Sequence, residues 1–210
     1  MFNQDKTKSQ NTMKKLQIMA VTAFAAIALY ACGGSGTKDT VETADSVNEA
    51  TDSSTAANAD TAGAAAIEDY DSKFAVDAAN GGMAEVALGN LAEQKATNAD
   101  VKAFAAQMVK DHSKANTELT AWATANNVTL PAAPGEENQK IAADLGKKMG
   151  ADFDKSYVDQ MVTDHDKTVS MFEDAAKNAK NADLKAWAAK TLPVLKAHQA
   201  HIKTIKDKMK

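Results

Sequence analysis

The stretches QMVKDHSKAN (107–116) and QMVTDHDKTV (160–169) share Gln-Met-Val, then Asp-His, then a Lys two residues after the His. The chain has 4 histidines. Two of them, His112 and His165, sit in this repeat, and the others are His198 and His201. Imidazole nitrogens, with a carboxylate such as Glu85, make up a donor set that suits zinc, copper or iron. Whether they do so here depends on the elements that carry them.

From Ser72 onward apolar residues recur at steps of 3 and 4, the helical period. They predict long helices over 72–96, 99–126, 151–178 and 182–208. Thr97 and Asn98 stand as caps before the second helix, with Asp100 in its first turn; Asn181 and Asp183 do the same for the fourth. No helix is apolar all round, so each offers one face to a shared core, and the fold class is an all-α four-helix bundle. The first and last joins are short and force antiparallel neighbours. The middle join, 127–150, holds Pro131, Pro134 and Gly135 and a short amphipathic helix near 136–148. A join of that length can return the chain to the opposite end, which gives the ferritin-like layout with a crossover. A plain up-down bundle with an ornamented loop is the alternative.

On these helices His112 falls between Met108 and Ala115, His165 between Met161 and Val169, and His198 between Leu195 and Ile202. Glu85 falls between Gly81 and Leu88. Each helix therefore presents one donor inward. At a rise of about 1.5 Å per residue, His112 and His165 lie about 20 Å from one end, with Glu85 near the same level and His198 about one turn away. Gly81 and Gly82, one turn before Glu85, suggest close approach or needed space. Pro193 removes a backbone donor beside the same layer. Asp111 and Asp164 point about 100° away from their neighbouring His, so they suit outer acceptors that orient an imidazole on another helix. Two readings stand. One is a single zinc, copper or iron ion held by Glu85, His112, His165 and His198. The other is a polar layer in which Glu and His satisfy each other and fix the register of the core. His201 reads as surface, and Met108, Met149, Met161 and Met171 read as core rather than copper ligands.

Composition narrows the rest. Net charge is −4, and the 24 basic residues are all Lys, which argues against a nucleic-acid binder. Lys14 and Lys15 precede an apolar run, Leu16 to Ala31, with the length of a signal h-region. Met13 would open that signal compactly. The run ends at Leu29-Tyr30-Ala31-Cys32-Gly33, which resembles a bacterial lipobox. The resemblance implies a signal peptide over 1–31, a lipid on Cys32 (the single Cys), and membrane attachment through it. Residues 33–71 hold nine acids against Lys38, with much Gly, Ser, Thr and Ala, and read as a disordered acidic tether. Residues 72–210 are then a near-neutral domain.

Stretch 74–205 also resembles a family of exported bacterial proteins known as a domain of unknown function with a ferritin-like fold, often described as outer-membrane proteins. The pieces that carry the likeness are Gly82-Met83-Ala84-Glu85 with Leu88-Gly89; Phe104-Ala105-Ala106-Gln107-Met108-Val109 with Asp111-His112; Phe153-Asp154-Lys155-Ser156-Tyr157 leading to Met161-Val162 and Asp164-His165; and Leu184-Lys185-Ala186-Trp187-Ala188 with Thr191-Leu192-Pro193 and His198. It implies the helical bundle and an envelope location, most simply the outer membrane, and no activity. Di-iron ferritin-like proteins carry Glu three residues before the ligating His. Here those positions are Val109, Val162 and Leu195, so iron oxidation and storage are not expected. Thiol, phosphate-loop and serine-nucleophile motifs are missing too. The expectation is an envelope lipoprotein that sequesters or senses a metal, with a metal-dependent oxidoreductase, which needs an open coordination position, as a further reading. The alternative is a structural or interaction protein of the envelope, its protein partners undefined.

Overall fold

The computed structural model describes residues 39–56 and 67–210, with side chains described over 39–51 and 67–210. The signal peptide and Cys32 lie outside the described residues. The described chain is all-helical: α1 (Thr40–Ala56), α2 (Asp69–Lys95), α3 (Ala99–Ala125), α4 (Glu136–Gly146), α5 (Gly150–Asn178) and α6 (Ala182–Lys208). The four long helices expected from periodicity are α2, α3, α5 and α6, and the short one in the middle join is α4.

Two apolar clusters show how they run. One joins the C-terminal part of α2 (Leu88, Ala92), the N-terminal part of α3 (Val101, Phe104), the N-terminal part of α5 (Phe153, Tyr157) and the C-terminal part of α6 (Ile202, Ile205). The other joins the opposite ends of the same helices, through Phe74, Trp122, Phe172 and Leu184. Helices α3 and α5 therefore run in the same direction, and the join containing α4 must carry the chain back along their length. The layer between the two clusters is where Glu85, His112, His165 and His198 sit, all buried.

The helix starts follow from capping chemistry. Asn98 Oδ1 accepts from the backbone N–H groups of Asp100 (2.8 Å) and Val101 (3.2 Å). Asn181 Oδ1 does the same for Asp183 (3.1 Å) and Leu184 (3.0 Å). Each short turn is also held from below by a buried carboxylate. Asp154 accepts from the backbone of Thr97 (3.0 Å) and Asn98 (2.9 Å) and from the Thr97 hydroxyl (2.5 Å). Asp71 accepts from the backbone of Lys180 (3.0 Å) and Asn181 (2.6 Å). The two arrangements are one device used twice. Ala96-Thr97-Asn98-Ala99-Asp100-Val101-Lys102-Ala103-Phe104-Ala105 is repeated 83 residues on as Ala179-Lys180-Asn181-Ala182-Asp183-Leu184-Lys185-Ala186-Trp187-Ala188, and Asp71 stands 83 residues before Asp154. The hairpin α2–α3 is thus echoed by α5–α6.

Residues 33–71 were expected to be an unstructured tether, and the structure corrects this over 40–56. Asp39 starts α1, its Oδ1 accepting from Val41 N at 3.3 Å, and its other oxygen accepts from Glu136 N at 3.1 Å. Asn48 clasps the backbone of Thr129 from both sides, donating to its carbonyl (3.0 Å) and accepting from its N–H (2.8 Å). Ala44 is buried. A stripe as slight as Val41, Ala44 and Asn48 gives almost no apolar signal. Pairing with the long join supplies what local sequence lacks.

Gly81 and Gly82 separate in their roles. A Cβ on Gly82 would meet Asn116 Oδ1 at 2.1 Å, whereas one on Gly81 meets nothing within 4 Å. Gly89 is a close approach of α2 to α3, where a Cβ would lie 2.8 Å from Val109 Cγ2 and 3.1 Å from the Ala105 carbonyl oxygen. Gly81→Ala is therefore expected to stabilise the fold by about 0.5–1 kcal/mol, through helix propensity. Gly89→Ala is expected to destabilise it by roughly 1–3 kcal/mol, through overpacking. Urea denaturation of the two variants checks the opposite signs.

Candidate metal centre

Glu85 on α2, His112 on α3, His165 on α5 and His198 on α6 meet in the middle layer. The imidazole centroids are 5.9 Å apart for His112 and His165, 5.5 Å for His112 and His198, and 5.7 Å for His165 and His198. A ligating nitrogen from each ring lies within 4.8 Å of the other two. Ligation at about 2.0–2.1 Å would hold such nitrogens about 3.3–4.1 Å apart, depending on the coordination angle, so a small inward contraction brings them into range.

Every ring has its other nitrogen tied to an acceptor behind it. His112 Nδ1 lies 2.9 Å from Glu85 Oε2. His165 Nδ1 lies 2.9 Å from the Met161 carbonyl oxygen and 3.5 Å from Glu85 Oε1. His198 Nε2 lies 3.0 Å from Asp111 Oδ2, across from α6 to α3. The remaining nitrogens, His112 Nε2, His165 Nε2 and His198 Nδ1, are buried and have no hydrogen-bond partner in the protein. Phe104 closes one side, its ring edge-on to His165 (6.0 Å) and His198 (6.3 Å).

The electrostatics follow from burial and a single carboxylate. Burial works to raise the Glu85 carboxyl, but charge and a hydrogen bond from His112, with charge from His165 and His198, hold it below its ordinary range. Burial opposes a proton on His112, yet Glu85 outweighs it and the group is raised. His165 is lowered by burial, with Glu85 opposing and His112 adding to the fall. His198 is pulled down to about 4 by burial, against its bond to Asp111. The layer thus favours one charged or metal-neutralised position and two neutral imidazoles.

The structure brings Glu85, His112, His165 and His198 together and sets Asp164 apart. Glu85 lies on the Nδ1 side of His112 and His165, its Oε2 2.9 Å from His112 Nδ1 and its Oε1 without a hydrogen-bond partner. Asp111 bonds His198 on a neighbouring helix. Asp164 accepts from Gln160 at 2.8 Å and takes its place in a groove between α2, α4 and α5. Burial and the charge of Glu85 push its carboxyl up to about 6. The Met161 carbonyl has no sequence signal, since any residue type supplies one. The surface expected for His201 is observed, with Phe104 against its ring at 5.5 Å.

Residues 56–205 match the family model described as Domain of unknown function (DUF4142). The chain belongs to this family. DUF4142 therefore covers α2 to α6 almost completely, with the three histidines inside it. The chain is also similar to the solved structure of CopM in the Cu(II)-bound form, with a TM-score of 0.57 and 16% identity over 67% of this chain and 97% of that one. At that identity the likeness establishes a shared helical fold. No curated protein matches the chain.

Proposed function

We propose that this DUF4142 domain is a ferritin-like four-helix bundle that binds a single transition-metal ion through His112, His165 and His198, and that it sequesters or senses that ion in the bacterial envelope. The observation that carries the reading is three buried imidazoles close enough to share one ion, each with one ring nitrogen held and the other without a protein partner. A self-satisfied polar layer would pair these atoms, because leaving a buried polar group unmade costs about 1–3 kcal/mol. Metal sites have this form: the far nitrogen donates to a carboxylate or carbonyl, which fixes the ring and raises its basicity. Among zinc, copper and iron, copper is the ion we favour. Imidazole donors suit it, it leads the divalent affinity order, and a protein of the same fold is known in a Cu(II)-bound form.

In this account His112, His165 and His198 bind, while Glu85, Asp111 and the Met161 carbonyl orient them. Asp111→Asn is accordingly expected to weaken Cu(II) affinity by roughly 10–100-fold at unchanged stoichiometry, read by competition titration with a chelator. Ligation needs neutral imidazoles, so protons compete with the ion. Glu85 raises the proton affinity of His112. The sign is therefore a loss of metal affinity as pH falls below neutral, and a pH series of the same titration checks it.

The location rests on the sequence. We take Cys32 to carry the lipid and the outer membrane to be the anchoring surface, with α1 docked on the domain at the end of the leash. No described helix is long and apolar enough to cross a membrane. Cys32→Ala should release the chain from the membrane fraction, and an equal membrane share for both forms would overturn the anchor. The structural reading remains the competitor, supported by the Glu85–His112 pair. It requires a folded protein with no metal uptake and no change of melting temperature with copper.

A further inference from the structure

Behind the histidine layer, the groove between α2, α4 and α5 offers about 340 Å³ of space, within the size range of small-molecule sites. Its charge is one-sided. Asp77 and Glu85 on α2, Glu137 on α4 and Asp164 on α5 line it, against Lys167. Acids along a groove are usually solvated and by themselves mark no ligand. Glu85 differs, because it is 2% exposed. Its Oε2 is held by His112 at 2.9 Å. Its Oε1 is turned to the α5 side, 3.5 Å from His165 Nδ1, and is buried without a hydrogen-bond partner. Helix α5 is the facing wall of the groove, so the groove has at its floor a carboxylate oxygen that lacks a donor.

The layout of the floor sets the shape of a ligand. Asp77, Gly81 and Glu85 follow at steps of four and share one face of α2, with the two acids about 12 Å apart along its axis. Between them a Cβ on Gly81 would meet nothing within 4 Å, and Ala84 and Ile141 add apolar surface. An acid, an open apolar stretch and a second acid match a chain of methylenes that carries positive groups along its length. A bare metal ion fits less well, since it needs several donors converging on one point. Among the described residues the group that converges in this way is the three histidines, within 4.8 Å of one another, and not the acids of the groove.

We propose that this groove binds a linear organic polyamine, one ammonium donating to Glu85 Oε1 and Asp164 and the far end meeting Asp77 and Glu137. The pair that Asp77 makes with Lys73 at 3.4 Å is solvent-exposed and gives way at little cost. The inference stands apart from the metal reading, because it concerns the free oxygen of Glu85 and holds for the metal-free chain. The two sites nevertheless share a residue. A cation on Oε1 draws charge from the carboxylate whose Oε2 holds His112, so occupancy of the groove is felt at the His112 ring.

The test uses the full chain without metal, with spermidine as the polyamine and Mg²⁺ as a simple cation in competition. Isothermal titration calorimetry reads the affinity, and the histidine ring signals in NMR spectra read the location. Saturable binding at a single site is expected, with the His112 ring signals moving and those of exposed His201 unmoved. Asp164→Asn and Glu137→Gln should each weaken binding about fivefold. Glu137 is exposed, so the second variant keeps the test open if the first fails to fold. Glu118→Gln removes an acid outside the groove, paired with Lys190 across α3 and α6 at 3.1 Å, and should leave the affinity nearly unchanged. Absence of saturable binding up to millimolar spermidine overturns the proposal, as does binding that leaves the His112 signals in place. An equal loss in all three variants overturns it too, by showing general attraction to an acidic chain. Displacement of spermidine by Mg²⁺ at equal concentration overturns the polyamine class and assigns the groove to a simple cation.

Discussion

His165→Leu is expected to abolish the copper-induced rise in melting temperature while leaving the metal-free fold as stable as wild type, or more stable. His165 is the suitable position because it is 0% exposed and its Nδ1 bonds the Met161 carbonyl in its own helix, so replacing it leaves no neighbouring side chain without its main partner. Leu is similar in volume and removes a buried nitrogen that has nothing to bond. Replacing a buried polar group by an apolar one of like shape is close to neutral or favourable. In the wild type, copper at 100 times its dissociation constant should add about 2.7 kcal/mol of stability. Losing one of three donors should weaken binding by more than the roughly 10–100-fold that an outer partner costs. His112→Leu would confuse the result, since it strands the buried Glu85 carboxylate. Thermal melts with and without copper decide the matter: a His165→Leu protein that still gains full stability from copper excludes His165 as a donor.

The second large effect is structural. Asp154→Ala and Asp71→Ala should each destabilise the metal-free protein by about 2–4 kcal/mol. Each carboxylate is buried and accepts from two consecutive backbone N–H groups at the turn that starts a long helix. Hydrogen bonds to charged groups are worth about 1.5–3 kcal/mol, and the abandoned N–H groups bring a further penalty. For a domain of this size the melting temperature should fall by on the order of 10 °C. Asn in place of Asp154 keeps one acceptor oxygen and should recover part of the loss. A loss under about 0.5 kcal/mol in both Ala variants would show that the Asn98 and Asn181 caps hold the turns unaided.

The helices were legible because their signals are local. Apolar steps of 3 and 4, the Asn98 and Asn181 caps, and the run of Pro131, Pro134 and Gly135 each act within a few residues. The level of His112 and His165 was legible for a related reason, since a constant rise per residue turns sequence position into height; His198, placed about one turn away by that count, lies in the same layer. What position cannot give is the side of a ring. Sequence places Glu85 in the layer, and only the structure shows that its Oε2 meets the Nδ1 edge of His112 while its Oε1 has no hydrogen-bond partner. Asp111 and Asp164 look alike in sequence, yet one meets His198 across α3 and α6 while the other meets Gln160 in its own helix. The docking of α1 was hidden because its hold on the domain is polar and long-range, from Asn48 to Thr129 and from Asp39 to Glu136. The capping role of Asp71 and Asp154 was hidden for the same reason, although the repeated Asn-Ala-Asp turns that they support stand in plain view in the sequence.

The most direct measurement is the metal content of the purified chain after exposure to equimolar iron, copper and zinc without chelator, followed by the electron paramagnetic resonance spectrum of any bound copper. About one copper ion per chain is expected, with nitrogen couplings from imidazoles that disappear in His165→Leu. A folded, helical protein that retains no metal would contradict the central claim and leave the histidine layer as a device for specifying the core.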